Sequence, residues 1–323
     1  MGIMNDLESE IPKIDAHFKK IIPQGSNNIV CTPIWDLLNR GGKRFRPVMC
    51  LLSCEAVGGK PGKALHTAAI IELFHNFTLI HDDIEDNSLM RRGKPCVHKI
   101  YGVPTTINSG DGMLLYTLKA LEVADEQIRK ILYDCFIQVL DGQGIELDWN
   151  TKKTYALNEQ DYLKMVGMKT GALISSACQA GGIIGGGSTR QVSVLKTYGM
   201  AVGTAFQIQD DILNITGKEN LYKKEIGGDI TEGKRTLMTI HALNHAKRHE
   251  SKELLSILNS NTHERTKISR VIEILEKNNS ITHAEKKARD IVKNAKRRLS
   301  ILPRNNSTDK LLRLADFLIE REF

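Results

Sequence analysis

Aromatic residues are scarce in this sequence of 323 residues, at 5% of the total. That scarcity argues against a stacking platform for single-stranded nucleic acid. The six cysteines include no CxxC pair and no zinc-site spacing, so we expect small buried thiols in a reducing compartment. No apolar run reaches the roughly 18 residues of a membrane-spanning helix, and the first residues lack the features of a signal peptide. These absences predict a cytoplasmic protein without a transmembrane segment and without a nucleic-acid partner.

The charge balance is basic, with 45 Lys and Arg against 38 Asp and Glu and a formal net charge of +7. A nucleic acid, an anionic membrane surface or an anionic small molecule would each suit such a balance. Part of the positive charge is concentrated in residues 286–298. We interpret that segment as a solvated helix face, with weak membrane-surface association as the most that it predicts.

Apolar residues recur at the spacing of an amphipathic helix through most of the chain. Three such series are Ile70, Leu73, Phe77, Ile80 and Ile84, then Ile268, Val271, Ile272 and Leu275, then Leu311, Leu314, Ala315 and Leu318. Strand-like alternation is scarce, and no Pro/Ser-rich linker divides the sequence. Three glycines before Ser188 predict a loop and then a helix capped at Ser188 or Thr189. The sequence therefore predicts an all-α protein of about ten or more helices, folded as one domain over residues 1–323.

The first chemically informative motif is Asp82-Asp83-Ile84-Glu85-Asp86, at the end of a helical apolar segment. Residues four apart share a helix face, so Asp82 and Asp86 are expected to project together. Like charges at this spacing repel by a few tenths of a kcal/mol per pair, which favours a bound cation. A hard, oxygen-preferring cation such as Mg²⁺ suits these carboxylates. The alternative is a solvated acidic helix end.

A second polar motif repeats this design. Gln207, Asp210, Asp211 and Asn214 fall at i, i+3, i+4 and i+7 on an otherwise apolar helix, which places them on one face. One such face alone would often be structural. Because Mg²⁺ usually takes one or two carboxylates together with substrate phosphates, two acidic helices facing each other could hold a diphosphate through bridging metal ions.

Basic side chains are dispersed between and around these motifs. Arg is suited to bidentate phosphate binding and Lys to point-charge contact. Each residue alone would more often be a surface residue, and a lone histidine seven residues before Asp82 would more often belong to the core. The candidates are Lys43, Arg46, His75, Arg91, Arg92, Lys169, Lys224 and Lys234.

In their order along the chain, these motifs resemble those of the trans-isoprenyl diphosphate synthases. The first aspartate motif is followed by Arg91-Arg92-Gly93, and the second has Asn214 where many members of the family have Asp. Further motifs of the family are matched at residues 42–47, 169–170 and 227–234. The resemblance implies an isoprenoid synthase helical bundle around a central apolar cavity. It also implies a Mg²⁺-dependent prenyltransferase that joins allylic prenyl diphosphates head to tail with isopentenyl diphosphate.

The resemblance assigns roles residue by residue. Asp82, Asp86 and Asp210 would bind about three Mg²⁺ ions, supported by Asp83, Asp211 and Asn214. Arg91, Lys169, Thr170, Gln207, Lys224 and Lys234 would hold the allylic diphosphate, which is dimethylallyl, geranyl or farnesyl diphosphate. Lys43, Arg46, His75 and Arg92 would hold the diphosphate of isopentenyl diphosphate. Catalysis would rest on Asp82, Asp83, Asp86, Asp210, Asp211 and Lys169. The family also implies a homodimer.

Product length is predicted from the residues just before the first aspartate motif. Phe77 precedes Asp82 by five residues, a rise of about 7.5 Å along a helix, and the next residue, Thr78, is small. One Phe without an insertion in the motif resembles the archaeal geranylgeranyl diphosphate synthases and implies a C20 product. The alternatives are that Phe77 only packs the core, that Phe74 forms the wall, or that the product is farnesyl or a longer polyprenyl diphosphate.

The same residues argue against two rival functions. A terpene cyclase or a squalene-type head-to-head enzyme usually lacks the isopentenyl site, so Lys43, Arg46 and His75 argue against it. A non-catalytic partner subunit would show degenerate aspartate motifs, and these are intact. Residues 105–111 depart from the small apolar run that is frequent in the family, in a helix expected to border the pocket or the dimer contact.

Overall fold

The structure, a computed structural model, describes residues 9–25, 28–217 and 226–320. Regular structure in these ranges is almost entirely helical, which confirms the predicted all-α class. The helices are α1 (Ile11–Ile21), α2 (Cys31–Asn39), α3 (Phe45–Ala56), α4 (Leu65–Glu85), α5 (Val97–Tyr101), α6 (Val103–Leu121), α7 (Glu126–Thr151), α8 (Glu159–Val166), α9 (Ala172–Ile184), α10 (Thr189–Thr216), α11 (Gly228–Thr231), α12 (Leu237–His245), α13 (Arg248–Leu258), α14 (Arg265–Lys277), α15 (Ser280–Arg298) and α16 (Asn306–Glu320).

Shorter elements complete the described chain. They are 3₁₀ turns at Pro61–Ala64 and Leu299–Ile301, a π-helical turn at Gly167–Gly171, and the strands β1 (Met90–Arg91) and β2 (Lys94–Pro95). The strands form an antiparallel hairpin that pairs Met90 with Pro95 and Arg91 with Lys94. In the ranges that the structure describes, no helix is both long and apolar enough to cross a membrane.

The chain forms two compact units. The first comprises the described residues of Met1–Phe136, Leu173–Lys196 and Leu299–Leu314, and the second those of Ile137–Ala172, Thr197–Arg298 and Ala315–Phe323. The division into units does not test the prediction of one domain over residues 1–323, which stays a prediction.

Helix α4 positions most of the predicted site residues of the first unit. It packs against α1, α3, α5 and α6. Its predicted apolar series is buried at Ile70, Leu73, Phe77 and Ile80 and half-buried at Ile84. Helix α6 approaches it closely, because a Cβ at Gly110 would lie 2.3 Å from Nε2 of His81. This close packing fixes the C-terminal half of α4.

The remaining series are also confirmed by burial. Val271 and Leu275 are buried in α14, with Ile268 and Ile272 half-buried beside them. The series of α16, from Leu311 to Leu318, is buried throughout. All six cysteines are free and buried, as predicted.

Helix α10 begins after the predicted glycine loop. The backbone N–H of Gln191 donates to Oγ of Ser188 over 3.3 Å, and the backbone N–H of Ser188 donates to Oε1 of Gln191 over 2.8 Å. This reciprocal pair satisfies two N–H groups that a helix start leaves unpaired. Ser188 is therefore the cap of the helix that carries the second polar motif.

Candidate active site

The first aspartate motif occupies the C-terminal end of α4. Asp86 is the cap residue, and its N–H donates to the carbonyl oxygen of Asp82 over 2.9 Å. The two carboxylates therefore lie one turn apart, and both are half-buried. The last turn contains no basic residue. Because the C-terminus of a helix carries partial negative charge, four acidic side chains there repel one another and the helix dipole, which favours a bound cation.

Asp83, the residue after Asp82, forms an ion pair with Arg91. It is buried and accepts hydrogen bonds from Nε and Nη2 of Arg91 over 2.9 and 2.5 Å. Burial works against the charge of Arg91, but the Asp83 carboxylate outweighs it and raises the pKa of the guanidinium. Arg91, predicted to hold the allylic diphosphate, is thus anchored to the motif by a charge-assisted bond.

A basic cluster lies around the N-terminus of α3 and the middle of α4. Nη1 of Arg46 lies 3.0 Å from Nε2 of His75. Burial, and then the charges of Arg46 and Arg92, lower the pKa of His75 well below its ordinary value. Since a guanidinium only donates, Nε2 of the neutral ring accepts and Nδ1 carries the proton. His75 is therefore a neutral member of a cationic cluster.

Arg92 joins this cluster through Gly42. A Cβ at Gly42 would lie 3.2 Å from Cζ of Arg92, and Gly42 has a φ of 142°. Glycine is thus favoured both by its backbone conformation and by the guanidinium packed against it. Nη1 of Arg92 donates to the carbonyl oxygen of Leu37 over 3.2 Å. The structure brings together Arg46, His75 and Arg92, with Lys43 exposed in the adjoining loop.

Phe77 lies in an aromatic group of the first unit. Its ring centroid is 5.5 Å from that of Phe74 and 4.8 Å from that of His81. Phe74 in turn stacks on Phe136 of α7, with centroids 3.7 Å apart. Both candidates for a chain-length wall are therefore buried and in contact, and Phe136 is a third aromatic that the sequence did not single out.

In the second unit, α10 carries the other polar motif. Nε2 of Gln207 donates to Oδ1 of Asp211 over 2.9 Å, and Oγ1 of Thr170 donates to Oε1 of Gln207 over 2.9 Å. Burial and the nearby Asp229 raise the pKa of Asp211 well above its ordinary value. The structure thus connects Thr170, Gln207 and Asp211, while Asp210 is half-buried beside them.

Lys169 is presented by the π-helical turn Gly167–Gly171, a distortion that is frequent at functional sites. A Cβ at Gly142 would lie 2.4 Å from the backbone nitrogen of Lys169, so α7 packs directly on this turn. Nζ of Lys169 donates to Oε2 of Glu146 over 2.5 Å. Burial opposes the charge of Glu146, but Lys169 and Lys234 outweigh it and lower the pKa of the carboxyl.

Asn214 and Lys234 meet at the short helix α11. Oδ1 of Asn214 accepts the backbone N–H of Asp229 over 3.0 Å. Nζ of Lys234 lies 3.6 Å from the Asp229 carboxylate and 2.5 Å from that of Glu232. Asn214 therefore orients a backbone segment. Lys224, predicted to bind the allylic diphosphate, lies outside the described residues.

Sequence reasoning missed Glu146 and Tyr162, the partners of Lys169 and Asp211. Glu146 is one acidic residue in a long amphipathic helix, and Tyr162 is one of seven tyrosines. Neither belongs to a motif quoted above, and each meets its partner through contacts between helices. The one general signal for such partners is that a buried charge needs an oppositely charged or hydrogen-bonding neighbour.

The donor set fits Mg²⁺ bound together with a phosphate group. The predicted ligands Asp82, Asp86 and Asp210 are half-buried, whereas Asp83 and Asp211 are buried. Within residues 9–25, 28–217 and 226–320, no group of three or more His, Cys, Asp or Glu is arranged to hold a metal ion. Mg²⁺ rarely needs such a cage, because waters and substrate phosphates complete its shell.

Known proteins resemble the chain over nearly its whole length. The family model described as polyprenyl synthetase matches residues 27–275. A short chain isoprenyl diphosphate synthase of Methanothermobacter thermautotrophicus is 37% identical, covering 100% of this chain and 99% of the relative. The crystal structure of a geranylgeranyl pyrophosphate synthetase from Pyrococcus horikoshii is 33% identical, with a TM-score of 0.92 over 99% of this chain and 98% of that one. A polyprenyl synthase from Caulobacter crescentus, complexed with calcium and isoprenyl diphosphate, is 26% identical, with a TM-score of 0.92 over 99% and 97%.

Proposed function

Because the chain belongs to the polyprenyl synthetase family, we propose that it is a trans-prenyltransferase whose main product is geranylgeranyl diphosphate. It would extend dimethylallyl, geranyl and farnesyl diphosphate with isopentenyl diphosphate, releasing one diphosphate and one proton at each step. The observation that carries the proposal is that each aspartate motif has basic side chains beside it in its own unit. Arg91 pairs with Asp83 of the first motif, and Lys234 lies 3.6 Å from Asp229, whose backbone N–H donates to Asn214 of the second motif.

The chemistry requires a charged leaving group to be stabilised. Breaking the allylic carbon–oxygen bond leaves a carbocation and a diphosphate, and magnesium bound with that diphosphate would stabilise its developing charge. We propose that Asp82, Asp86 and Asp210 hold the metal, about three ions in all. The half-buried state of these carboxylates and the calcium complex of the Caulobacter relative support this assignment.

The chain's own basic groups would hold the substrates. Lys169, Thr170, Gln207 and Lys234 would bind the allylic diphosphate, with Arg91 anchored by Asp83 and with Lys224 of the segment that the structure does not describe. Lys43, Arg46, His75 and Arg92 would bind isopentenyl diphosphate. Because His75 is neutral and protonated at Nδ1, it would donate one hydrogen bond while the guanidinium groups supply the charge.

Product length would be set by the aromatic group of Phe74, Phe77 and Phe136. Phe77 is only 5% exposed and is backed by Phe74, which is itself stacked on Phe136. A rigid apolar wall of this kind, one to two turns before Asp82, would stop elongation at C20. The name of the Pyrococcus relative, a geranylgeranyl pyrophosphate synthetase, supports this length. Farnesyl or longer polyprenyl diphosphates are the alternative products.

The assembly would be a homodimer in the cytoplasm. Val103, Ile107 and Leu115 of α6 are exposed apolar residues that lie within about a third of the circumference of the helix. This surface is suited to a second copy of the chain. The basic segment of α15 is partly neutralised, since Lys287 donates to Glu159 and Lys296 to Asp316. That pairing supports a solvated face and at most weak attraction to an anionic membrane.

The decisive assay for the reaction class is release of diphosphate as a function of substrate. We expect release only when an allylic diphosphate, isopentenyl diphosphate and Mg²⁺ are all present, because the cation must be captured by the second substrate. Release from the allylic substrate alone would indicate a cyclase. Binding of both substrates without any release would indicate a non-catalytic subunit.

A further inference from the structure

Arg44 is the most deeply enclosed of the cationic side chains beside the predicted isopentenyl diphosphate site. It is 2% exposed, and its backbone is left-handed, with a φ of 44°. Three acceptors from three helices hold its guanidinium: Nε donates to Asp15 over 3.0 Å, Nη1 to Glu72 over 3.2 Å, and Nη2 to the carbonyl oxygen of Leu38 over 2.9 Å. The group also lies 5.1 Å above the ring of Phe18. Each nitrogen of the buried Arg44 guanidinium therefore already donates to a protein acceptor.

Its partner Glu72 is buried to the same degree, at 2% exposure. Oε1 accepts from Arg44 and, over 3.3 Å, from Nδ2 of Asn76. Oε2 is buried and accepts no hydrogen bond within the part of the chain that the structure describes. A buried, incompletely satisfied ion pair contributes little to stability and can be less favourable than apolar residues of similar size. Its placement therefore points to a positional role.

The neighbouring contacts show what this pair positions. Arg46, two residues after Arg44, lies 3.0 Å from His75, three residues after Glu72. The two pairs thus connect the start of α3 to one turn of α4. Arg44–Glu72 is a buried ion pair, and Arg46–His75 belongs to the proposed substrate site. On the other side of Arg44, Gly42 packs against the guanidinium of Arg92.

We propose that the buried Arg44–Glu72 pair is the positioning element of the isopentenyl diphosphate site. It holds residues 42–46 in one conformation and so fixes Lys43, Arg46 and Arg92 relative to His75. This inference rests on the proposed function. Because the contacts of this pair adjoin the residues predicted to bind isopentenyl diphosphate, loss of the pair should weaken isopentenyl diphosphate binding and spare the allylic substrate.

The test replaces both charges together, so that no buried charge is left without a partner. The variant is Arg44→Met with Glu72→Leu, which replaces the pair with apolar side chains of similar summed volume. The matched control is Lys277→Met with Glu250→Leu, which removes another pair with a carboxylate only 2% exposed, in the second unit. The readouts are KM for each substrate, kcat, and calorimetric binding of isopentenyl diphosphate to metal-free protein.

We expect the Arg44/Glu72 double variant to raise KM and the dissociation constant for isopentenyl diphosphate at least about tenfold. Its kcat and its KM for farnesyl diphosphate should stay within about twofold, and the control should match the wild type in every readout. Unchanged isopentenyl diphosphate binding in the double variant would overturn the positioning role. A parallel rise in both KM values would do the same, because it would indicate a merely structural pair.

A milder variant keeps the inference testable if the double variant does not fold. Asp15→Asn weakens the outermost bond of Arg44, on a side chain that is 39% exposed, and should raise only the isopentenyl diphosphate KM, about threefold. If KM for isopentenyl diphosphate does not rise selectively in Asp15→Asn, that result also counts against the positioning role. A wild-type protein that fails to bind isopentenyl diphosphate at all would overturn the proposed function itself, which separates the two failures.

Discussion

Tyr162 of α8 donates a hydrogen bond of 2.6 Å from its phenol to Oδ2 of Asp211, 49 residues further along the chain. Both side chains are buried. Burial and Asp229 raise the pKa of Asp211, whereas the bonds from Tyr162 and Gln207 oppose that rise. Asp211 is thus a buried side chain held by two hydrogen bonds, whereas its neighbour Asp210 is half-buried.

Removing the Tyr162 hydroxyl should destabilise the protein. Tyr162→Phe leaves a buried carboxylate with one donor fewer, and we expect a loss of about 1–3 kcal/mol in the free energy of unfolding by urea titration. Tyr133→Phe is the control, because its hydroxyl donates to Glu122 at an exposed site and should change stability by less than about 0.5 kcal/mol. Equal effects of the two variants would show that the Tyr162 bond is not a buried contact of this kind.

Activity should require a divalent metal and the half-buried aspartates. Asp82→Ala and Asp210→Ala should each lower kcat by at least about 10²-fold, because each removes charge stabilisation of the leaving diphosphate. Chelation should abolish turnover, and Mg²⁺ or Mn²⁺ should restore it. Asp290→Ala, at an exposed position of α15, should be active. Near-wild-type turnover of either site variant would remove that residue from the metal assignment.

The local part of this site could be read from the sequence. The helix that ends at Glu85 and the capped start of α10 follow from residues within a few positions of each other. Arg44, Glu146 and Tyr162 could not be assigned in the same way. Their partners lie 28, 23 and 49 residues away, and a long-range contact leaves no periodic signal.

The direction in which a motif residue points was likewise not readable. Asp82 and Asp83 are neighbours in a run of acidic residues, yet one is half-buried and the other is buried against Arg91. The partner of Asp83, Arg91, belongs to the hairpin of β1 and β2, eight residues further along the chain. Similarly, Lys43 and Arg44 look equivalent in sequence, but the left-handed backbone at Arg44 turns its side chain into the interior.

Stability should depend on the protonation of His75. Its pKa in the folded protein lies well below 6.5, owing first to burial and then to the surrounding arginines. Below about pH 6.5, His75 is protonated in the unfolded chain but stays neutral in the folded protein. The free energy of unfolding therefore falls as the pH falls, by up to about 1.4 kcal/mol per pH unit.

His75→Gln keeps an acceptor for Arg46 and removes this titration. Other histidines with lowered pKa values, such as His17 and His241, contribute equally to the pH dependence of stability in the wild type and in His75→Gln. The stability advantage of the wild type over the variant should therefore shrink by about 1 kcal/mol between pH 7.5 and pH 5.5 in urea titrations. Parallel stability curves would contradict a buried neutral His75.

Helix α6 should carry the dimer contact. Leu115→Glu replaces an apolar side chain that is 66% exposed with a charged one. The variant should be a monomer at micromolar concentration, as measured by light scattering. Tyr155→Glu, at a comparably exposed residue outside that helix, should remain dimeric. A wild type that is monomeric across this range would exclude the homodimer.

The aromatic group before Asp82 should limit the product. Phe77→Ser, tested with farnesyl diphosphate as starter, opens space beside Phe74 and should give products of C25 and beyond. Phe74→Ala should cost about 3–5 kcal/mol in stability, since its ring is stacked on Phe136. An active Phe77→Ser enzyme that still stops at C20 would move the limit to Phe74 or to a neighbouring helix.

The most direct test of the central claim is the length of the wild-type product. Labelled isopentenyl diphosphate is incubated with Mg²⁺ and a C5, C10 or C15 allylic starter, and the dephosphorylated products are separated by reversed-phase chromatography. A geranylgeranyl diphosphate synthase converts all three starters to C20. Accumulation of C15 from the shorter starters, with no elongation of the C15 starter, would contradict the account.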